Sequence, residues 1–320
     1  MINVLSLFDG LSCGQIALSR LGIEVDNYYA SEIDKHAIKV TQHNFPNTIQ
    51  LGDVSSINAD MLPNIDLLFG GSPCTGFSIA GKQLNFEDPQ SKLFFEFVRV
   101  LNEVNPKYFL LENVKMKKEY MDIISEHLGV EPIEINSGLV SAQNRRRLYW
   151  TNIPGVEQPE DKGLLIKDIL DKNVTDGVKI NFDENGISKF KATNKKYVIL
   201  NNKDIPPYSI YETRTEEGRK ERKRIRQLTG IDTTPRGSIH KEYRFNKKYK
   251  SNCLVTVQSE LNKVIDQDYN YRYYTNREYC RLQTVSDTYF DGTDTSDNQI
   301  RKMLGNGWTV DVISHIFNYM

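Results

Sequence analysis

Ile65-Asp66-Leu67-Leu68-Phe69-Gly70-Gly71-Ser72-Pro73-Cys74-Thr75-Gly76-Phe77-Ser78 passes from an apolar run into a turn punctuated by glycine and proline. The apolar run, 65–69, reads as a buried strand. Cys74 then stands at the mouth of that strand rather than inside it. Free thiols are usually buried and inert. One that is partly exposed, in a site that stabilises the thiolate, is a nucleophile. Cys74 is therefore the first candidate for chemistry.

Outward from this stretch, short apolar runs alternate with segments of helical period. Strands are expected at 2–7, 26–31, 48–51, 65–69, 107–111, 132–136 and near 146–152, with helices at 15–21, 34–43, 91–104 and 117–128. That alternation predicts an α/β fold with a doubly wound, mostly parallel sheet. The pattern breaks down after about Pro154. The stretch to Tyr271 is polar, rich in Lys, Asn and Tyr, and reads as a smaller, irregular, β-leaning module. Helices at 275–283 and 296–304, a Gly305-Asn306-Gly307 turn and a last amphipathic helix from Thr309 follow. The expected division is 1–153, 154–271 and 272–320, the last segment packing back on the first.

At 320 residues and 39% hydrophobic, the chain can bury a sizeable core. It has no apolar run long enough to span a bilayer, and its start lacks the basic flank of a signal peptide. Four scattered cysteines, Cys13, Cys74, Cys253 and Cys280, form no C-x-x-C pair. They argue against a zinc site or disulfide scaffold and fit a reducing compartment. Cys253 and Cys280 read as core thiols. The net charge of -1 hides an asymmetry: residues 189–250 hold 18 Lys/Arg against 7 Asp/Glu, leaving 23 against 35 elsewhere. A basic segment of this kind suits a polyanion such as a nucleic acid, or is simply a solvated face.

Carboxylates recur at the ends of predicted strands. The first strand leads through Phe8-Asp9-Gly10-Leu11-Ser12-Cys13-Gly14 into a helix, a nucleotide-binding position without the G-x-G-x-x-G dinucleotide pattern. Glu32 ends the second strand, placed to accept from ribose hydroxyls. Asp53 ends the third, placed to accept from an adenine amino group. Each alone is as readily a helix N-cap. Three at successive strand ends favour an adenosine ligand. Glu112 follows three apolar residues, where a carboxylate needs work or a partner. Gln143-Asn144-Arg145-Arg146-Arg147 puts alternate arginines on one strand face, any of which can pair with it.

Taken in order, these residues resemble the carbon-5 cytosine DNA methyltransferases of bacterial and phage restriction-modification type. The motifs are Phe8-Asp9-Gly10, Ser31-Glu32, Gly52-Asp53, Ser72-Pro73-Cys74, Glu112-Asn113-Val114, Gln143-x-Arg145-x-Arg147, Arg277-Glu278-x-x-Arg281-Leu282-Gln283 and Gly305-Asn306-Gly307. The stretch from Ser78 to Phe95 resembles the family's active-site loop. The resemblance implies a Rossmann-like methyltransferase fold, S-adenosylmethionine as cofactor, double-stranded DNA as partner, no metal, a monomer and a cytoplasmic location. It implies Cys74, Glu112, Arg145 and Arg147 as catalytic residues. Cytosine carbon 6 would be attacked by Cys74, N3 held by Glu112, and the base flipped out of the duplex. For the cofactor it implies Phe8 and Asp9, the run Gly10, Leu11, Ser12, Cys13 and Gly14, then Glu32, Ile33, Asp53, Val54, Pro73, Leu93, Asn306 and Gly307. Ser12-Cys13 and Thr75 depart from the commonest family pattern, and Cys253-Leu254 stands where a Thr-Leu pair is usual. Residues 154–271 would be the target-recognition domain, with Arg214, Arg236 and Lys241 as candidate contacts. A transfer-RNA methyltransferase and an inactive DNA-binding protein of the same fold remain alternative readings.

Overall fold

The computed structural model describes residues 1–73, 89–172, 174–193, 196–201, 203, 206–229, 241–246, 249–254, 256 and 262–320. Cys74 and Arg236 lie outside the described residues.

The first half builds a seven-stranded sheet. Its strands are β1 (Ile2–Leu7), β2 (Val25–Ser31), β3 (Ile49–Gln50), β4 (Leu67–Gly70), β5 (Tyr108–Val114), β6 (Ile133–Asn136) and β7 (Arg146–Thr151). They lie in the order β3-β2-β1-β4-β5-β7-β6, and β7 alone runs against its neighbours. The fold is thus α/β and doubly wound, with the order reversing between β1 and β4. Crossover helices α1 (Cys13–Arg20), α2 (Lys35–Asn44), α3 (Pro89–Val104) and α4 (Lys118–Leu128) connect the parallel strands.

Alternation along the strands sorts the two faces. Val4, Leu67, Phe69 and Leu110 face one core with Ile16 and Ala17 of α1 and Val40 of α2. Leu5, Leu7, Leu68, Phe109 and Leu111 face the other with Phe94 and Phe97 of α3 and Ile124 of α4. Strand β5 runs three residues beyond the apolar segment expected from sequence. Glu112 therefore sits inside the ladder opposite Tyr149, and ladder pairing satisfies its backbone while its side chain stays free for the site.

Beyond β7 come the four-residue helix α5 (Ile166–Ile169) and strands β8 (Val178–Lys179), β9 (Ile187–Thr193), β10 (Lys196–Asn201) and β11 (Tyr208–Arg214). Helix α6 (Glu216–Thr229) then precedes β12 (Lys241–Phe245), β13 (Lys263–Ile265) and β14 (Asn270–Tyr273). Five of these strands form an antiparallel sheet, β12-β11-β13-β14-β8, and β9 pairs with β10. Its own core is small: Ile180, Leu200, Tyr208, Ile265 and Tyr271. The module is more regular than its polar sequence suggests, because backbone pairing carries what apolar burial does not.

Helices α7 (Asn276–Leu282), α8 (Asp297–Asn306) and α9 (Val310–Phe317) close the chain. Val310, Val312, Ile313 and Ile316 are fully buried in the core that α1 shares, and Arg20 pairs with Asp311 at 2.6 Å. Among the described residues, no helix is long and apolar enough to cross a membrane.

Gly14 marks the tightest packing in the first turn of α1. A Cβ there would lie 2.3 Å from the ring of Phe69. That ring is buried and hemmed in by Tyr28, Trp308 and Phe317, so it cannot retreat. Gly14→Ala is expected to cost about 1–3 kcal/mol, read as a lower urea midpoint with an unchanged slope. A midpoint equal to wild type would show that the helix and ring can part freely.

Candidate functional site

A cavity of about 730 Å³ opens at the carboxyl ends of the strands, where β1 and β4 diverge. A doubly wound sheet leaves its crevice there because successive crossovers depart in opposite directions.

One wall is the β1–α1 turn. Phe8, Gly10 and Ser12 all take positive φ, near 60°, and this lifts the backbone N–H groups away from a regular ladder. Glu32, just past β2, ties the turn down. Its Oε2 accepts from Gly10 N at 2.7 Å, and its Oε1 accepts from Ile33 N and Asp34 N at 2.8 Å each. Helix α2 is capped instead by Asp34, which accepts from His36 N. Asp53 does cap a turn: its Oδ1 accepts from Ser55 N at 2.8 Å and Ser55 Oγ at 2.7 Å. These bonds hold its carboxyl below the usual range, so it remains an acceptor facing the cavity.

Phe8, Asp9, Gly10, Leu11, Cys13, Gly14, Glu32, Ile33, Asp53, Val54, Pro73, Leu93, Asn306 and Gly307 all line this cavity. Ser12 does not. It is buried, with its hydroxyl turned to Gln15 and Tyr28. Ile33 stands 74% exposed at the rim, an apolar surface left uncovered by the described residues. Cys13 is buried and its thiol is pushed up to about 12, which makes it inert packing.

The opposite wall carries Glu112, Arg145 and Arg147. Glu112 is buried. Its Oε1 pairs with Arg147 Nε at 2.9 Å, and its Oε2 accepts from Trp308 Nε1 at 3.0 Å. Burial is the largest influence on Arg147 and works against its charge, but the Glu112 carboxylate, together with Cys253 and Tyr149 beside it, raises its pKa and keeps the guanidinium protonated. Arg146, one residue along the strand, points away and pairs with Glu134. Arg145 is almost fully buried. Its guanidinium donates to Gly305 O at 3.2 Å, Gly307 O at 2.8 Å, Leu254 O at 3.5 Å and Cys253 Sγ at 3.3 Å. Trp308 is not among the site residues expected from sequence. Its N–H on Glu112 makes it part of the site, and the available signal was that a half-buried indole N–H usually finds an acceptor.

Gln143 and Gln283 extend this buried polar group. Gln143 Nε2 donates to Leu282 O and its Oε1 accepts from Leu254 N. Gln283 Nε2 donates to Leu304 O and Gly307 O, and its Oε1 accepts from Thr309 Oγ1. Among the described residues, no group of three or more His, Cys, Asp or Glu is arranged to hold a metal.

The family model for C-5 cytosine-specific DNA methylase matches residues 2–128 and 137–320. The orphan methyltransferase M.Rho11sI of Bacillus phage rho11s is 39% identical over 161 residues, covering 46% of this chain and 32% of that protein. The chain thus matches about a third of that relative's length. The type II methyltransferase M.DsaV of Dactylococcopsis salina is 28% identical, covering 100% of this chain and 86% of its own. Among solved structures, a putative DNA modification methyltransferase encoded within a prophage of E. coli superposes with a TM-score of 0.63. It is 21% identical and covers 100% of this chain and 98% of its own, a likeness in fold.

Asp9 offers a test of the cavity floor. Its Oδ1 accepts from Tyr28 Oη at 2.8 Å, while Oδ2 is shielded and without a partner. Burial raises its carboxyl from 3.8 to about 6. As pH rises from about 4 to above 6, the unfolded chain loses this proton first, and the folded state loses stability across that window. Asp9→Asn does not titrate. It should therefore match wild type near pH 4 and exceed it by about 1–3 kcal/mol at pH 7.5. Urea unfolding at the two pH values checks this, and a difference that does not grow with pH overturns it.

Proposed function

The chain belongs to the C-5 cytosine-specific DNA methylase family, and from that premise we propose that it transfers a methyl group from S-adenosylmethionine to carbon 5 of a cytosine flipped out of double-stranded DNA, through a covalent bond from Cys74 to carbon 6. One observation carries the reading. Pro73, the residue before Cys74, lines the same cavity as a Glu112 held by both a guanidinium and an indole N–H.

The cavity suits the cofactor. Its volume is that of a nucleoside-sized site. The exposed Ile33 offers a face for a flat ring, Glu32 and Asp53 supply acceptors for hydroxyl and amino groups, and the Asp9 carboxyl, whose Oδ2 has no hydrogen-bond partner among the described residues, adds negative potential favourable to a cationic ligand. S-adenosylmethionine supplies an electrophilic methyl group on its sulfonium sulfur. Phe8, Val54, Leu93 and the Gly10–Gly14 turn would bind it, with Asn306 and Gly307 closing the far side.

The chain's own residues do the rest. Cytosine carbon 5 is a weak nucleophile. Addition of the Cys74 thiolate to carbon 6 makes it an enamine carbon, and the negative charge develops toward N3. Glu112 faces that charge as a hydrogen-bond partner or proton donor, oriented by Arg147 and Trp308. Once carbon 5 carries the methyl, its proton goes to a base and the electrons of that bond expel Cys74. Reaching carbon 6 requires the base to leave the stack. We further propose that 154–271 is the recognition domain, its basic stretch contacting phosphates.

Incubation with tritiated S-adenosylmethionine and duplex DNA containing 5-fluorocytosine is expected to trap a covalent complex that maps to Cys74, because fluorine cannot leave as a proton does. Cys74→Ser should abolish transfer while keeping cofactor binding. Label entering transfer RNA instead of DNA, or full activity in Cys74→Ser, would overturn the reading. Trp308→Phe removes the donor to Glu112 and should lower kcat about tenfold with little change in KM for DNA. A kcat within twofold of wild type would take the indole N–H out of the chemistry.

A further inference from the structure

The Glu112–Arg147 pair is not held by the catalytic sheet alone. Arg147 Nη1 donates to the neighbouring Arg146 O at 2.9 Å, and its Nη2 lies 3.7 Å from Cys253 Sγ, a contact reaching beyond the catalytic sheet. The same sulfur accepts from Arg145 Nη1 at 3.3 Å. Its own hydrogen faces Leu254 O at 3.5 Å. Cys253 is half-buried and forms no disulfide. A thiol that turns its hydrogen back on its own segment presents lone pairs outward, and here two guanidinium groups occupy that side.

The segment that carries Cys253 is gripped from both sheets. From the second sheet, Ser209 Oγ of β11 donates to Lys250 O at 2.8 Å, and Asn246, just past β12, donates to the same oxygen at 2.7 Å. From the catalytic side, Ser251 N donates to Ala142 O at 2.6 Å and Asn144 N donates to Ser251 O at 2.9 Å. Ser251 also bridges Gln143 in parallel. The sulfur thus stands where the second sheet's hold on the chain meets the guanidinium that pairs with Glu112.

We propose that Cys253 is a positioning residue: its sulfur orients the Arg147 guanidinium, and Arg145 beside it, so that Arg147 stays on Glu112 and the catalytic pair depends on the seating of the second sheet. The role rests on the functional reading above and adds to it a residue outside the catalytic motifs. It requires an acceptor at position 253, not merely a side chain of matching size. A serine hydroxyl keeps the acceptor on a smaller side chain. A valine removes the acceptor and, being about one methyl group larger, leaves no cavity.

The two substitutions therefore separate positioning from packing. Wild type, Cys253→Ser and Cys253→Val are compared for kcat, for KM with duplex DNA and for S-adenosylmethionine binding, and the crystal structure of Cys253→Val is solved. Cys253→Val is expected to lose about tenfold in kcat with KM and cofactor affinity within about twofold, while Cys253→Ser recovers to within about threefold of wild type. In the Cys253→Val crystal, Arg147 should have left hydrogen-bonding distance of Glu112. A valine variant as active as the serine variant, or an unmoved Glu112–Arg147 pair, overturns the proposal. Failure of wild type to methylate duplex DNA would defeat the functional reading instead. The crystal comparison would still decide the role of the sulfur.

Discussion

A positive charge buried away from water must find acceptors for its hydrogen atoms, and Arg145 finds them on two separate stretches of chain. Its guanidinium holds the carbonyls of Gly305 and Gly307, the carbonyl of Leu254 and the sulfur of Cys253. An unpaired buried guanidinium would cost several kcal/mol. The cost is offset only when the turn after α8 and the segment from the second sheet both converge on the edge of β7. The C-terminal turn in turn delivers Trp308 to Glu112, so burial of one charge assembles the cavity wall that carries Glu112.

The cavity gathers residues that are far apart in the chain because strand ends in a doubly wound sheet share one rim. Phe8, Glu32, Asp53, Pro73 and Glu112 arrive there from five different strands or the loops after them. Phe69 supports the arrangement from below. Its ring packs on Tyr28, Trp308 and Phe317 and fills the space left by Gly14. One aromatic cluster thus underlies both the β1–α1 wall and the Glu112 wall of the cavity.

Much of this was legible beforehand, and the misses have physical causes. The strands came through because a short apolar run bounded by turn residues is a local property, as in Leu67, Leu68 and Phe69 before Gly70-Gly71. The ends came through less well. Strand β5 reads as ending at Leu111 because Glu112 breaks the apolar run, whereas pairing with β7 carries the ladder to Val114. Asp53 and Glu32 look alike in sequence as carboxylates after strands. Asp53 caps a turn, and Glu32 reaches across to Gly10. Ser12 belongs to the glycine-rich turn by position, yet its left-handed backbone aims the hydroxyl at Tyr28 rather than at the cavity. Cys253 reads as a core thiol and Trp308 is absent from the expected site because neither lies in a catalytic run, and their partners are remote in sequence.

The amino-acid sequence by itself determined the class of fold, the order of the elements and the set of chemically capable side chains. Those depend on hydrophobic period, on turn residues and on functional groups, all readable within a few residues. The tertiary structure decided which of those groups work together: that Glu112 takes Arg147 rather than Arg145 or Arg146, that Arg145 becomes a tie between sheets, and that an indole from the last fifty residues completes the site. Each is a choice among partners separated by tens to hundreds of residues, set by which backbone acceptors and side chains packing brings within reach of a buried charge.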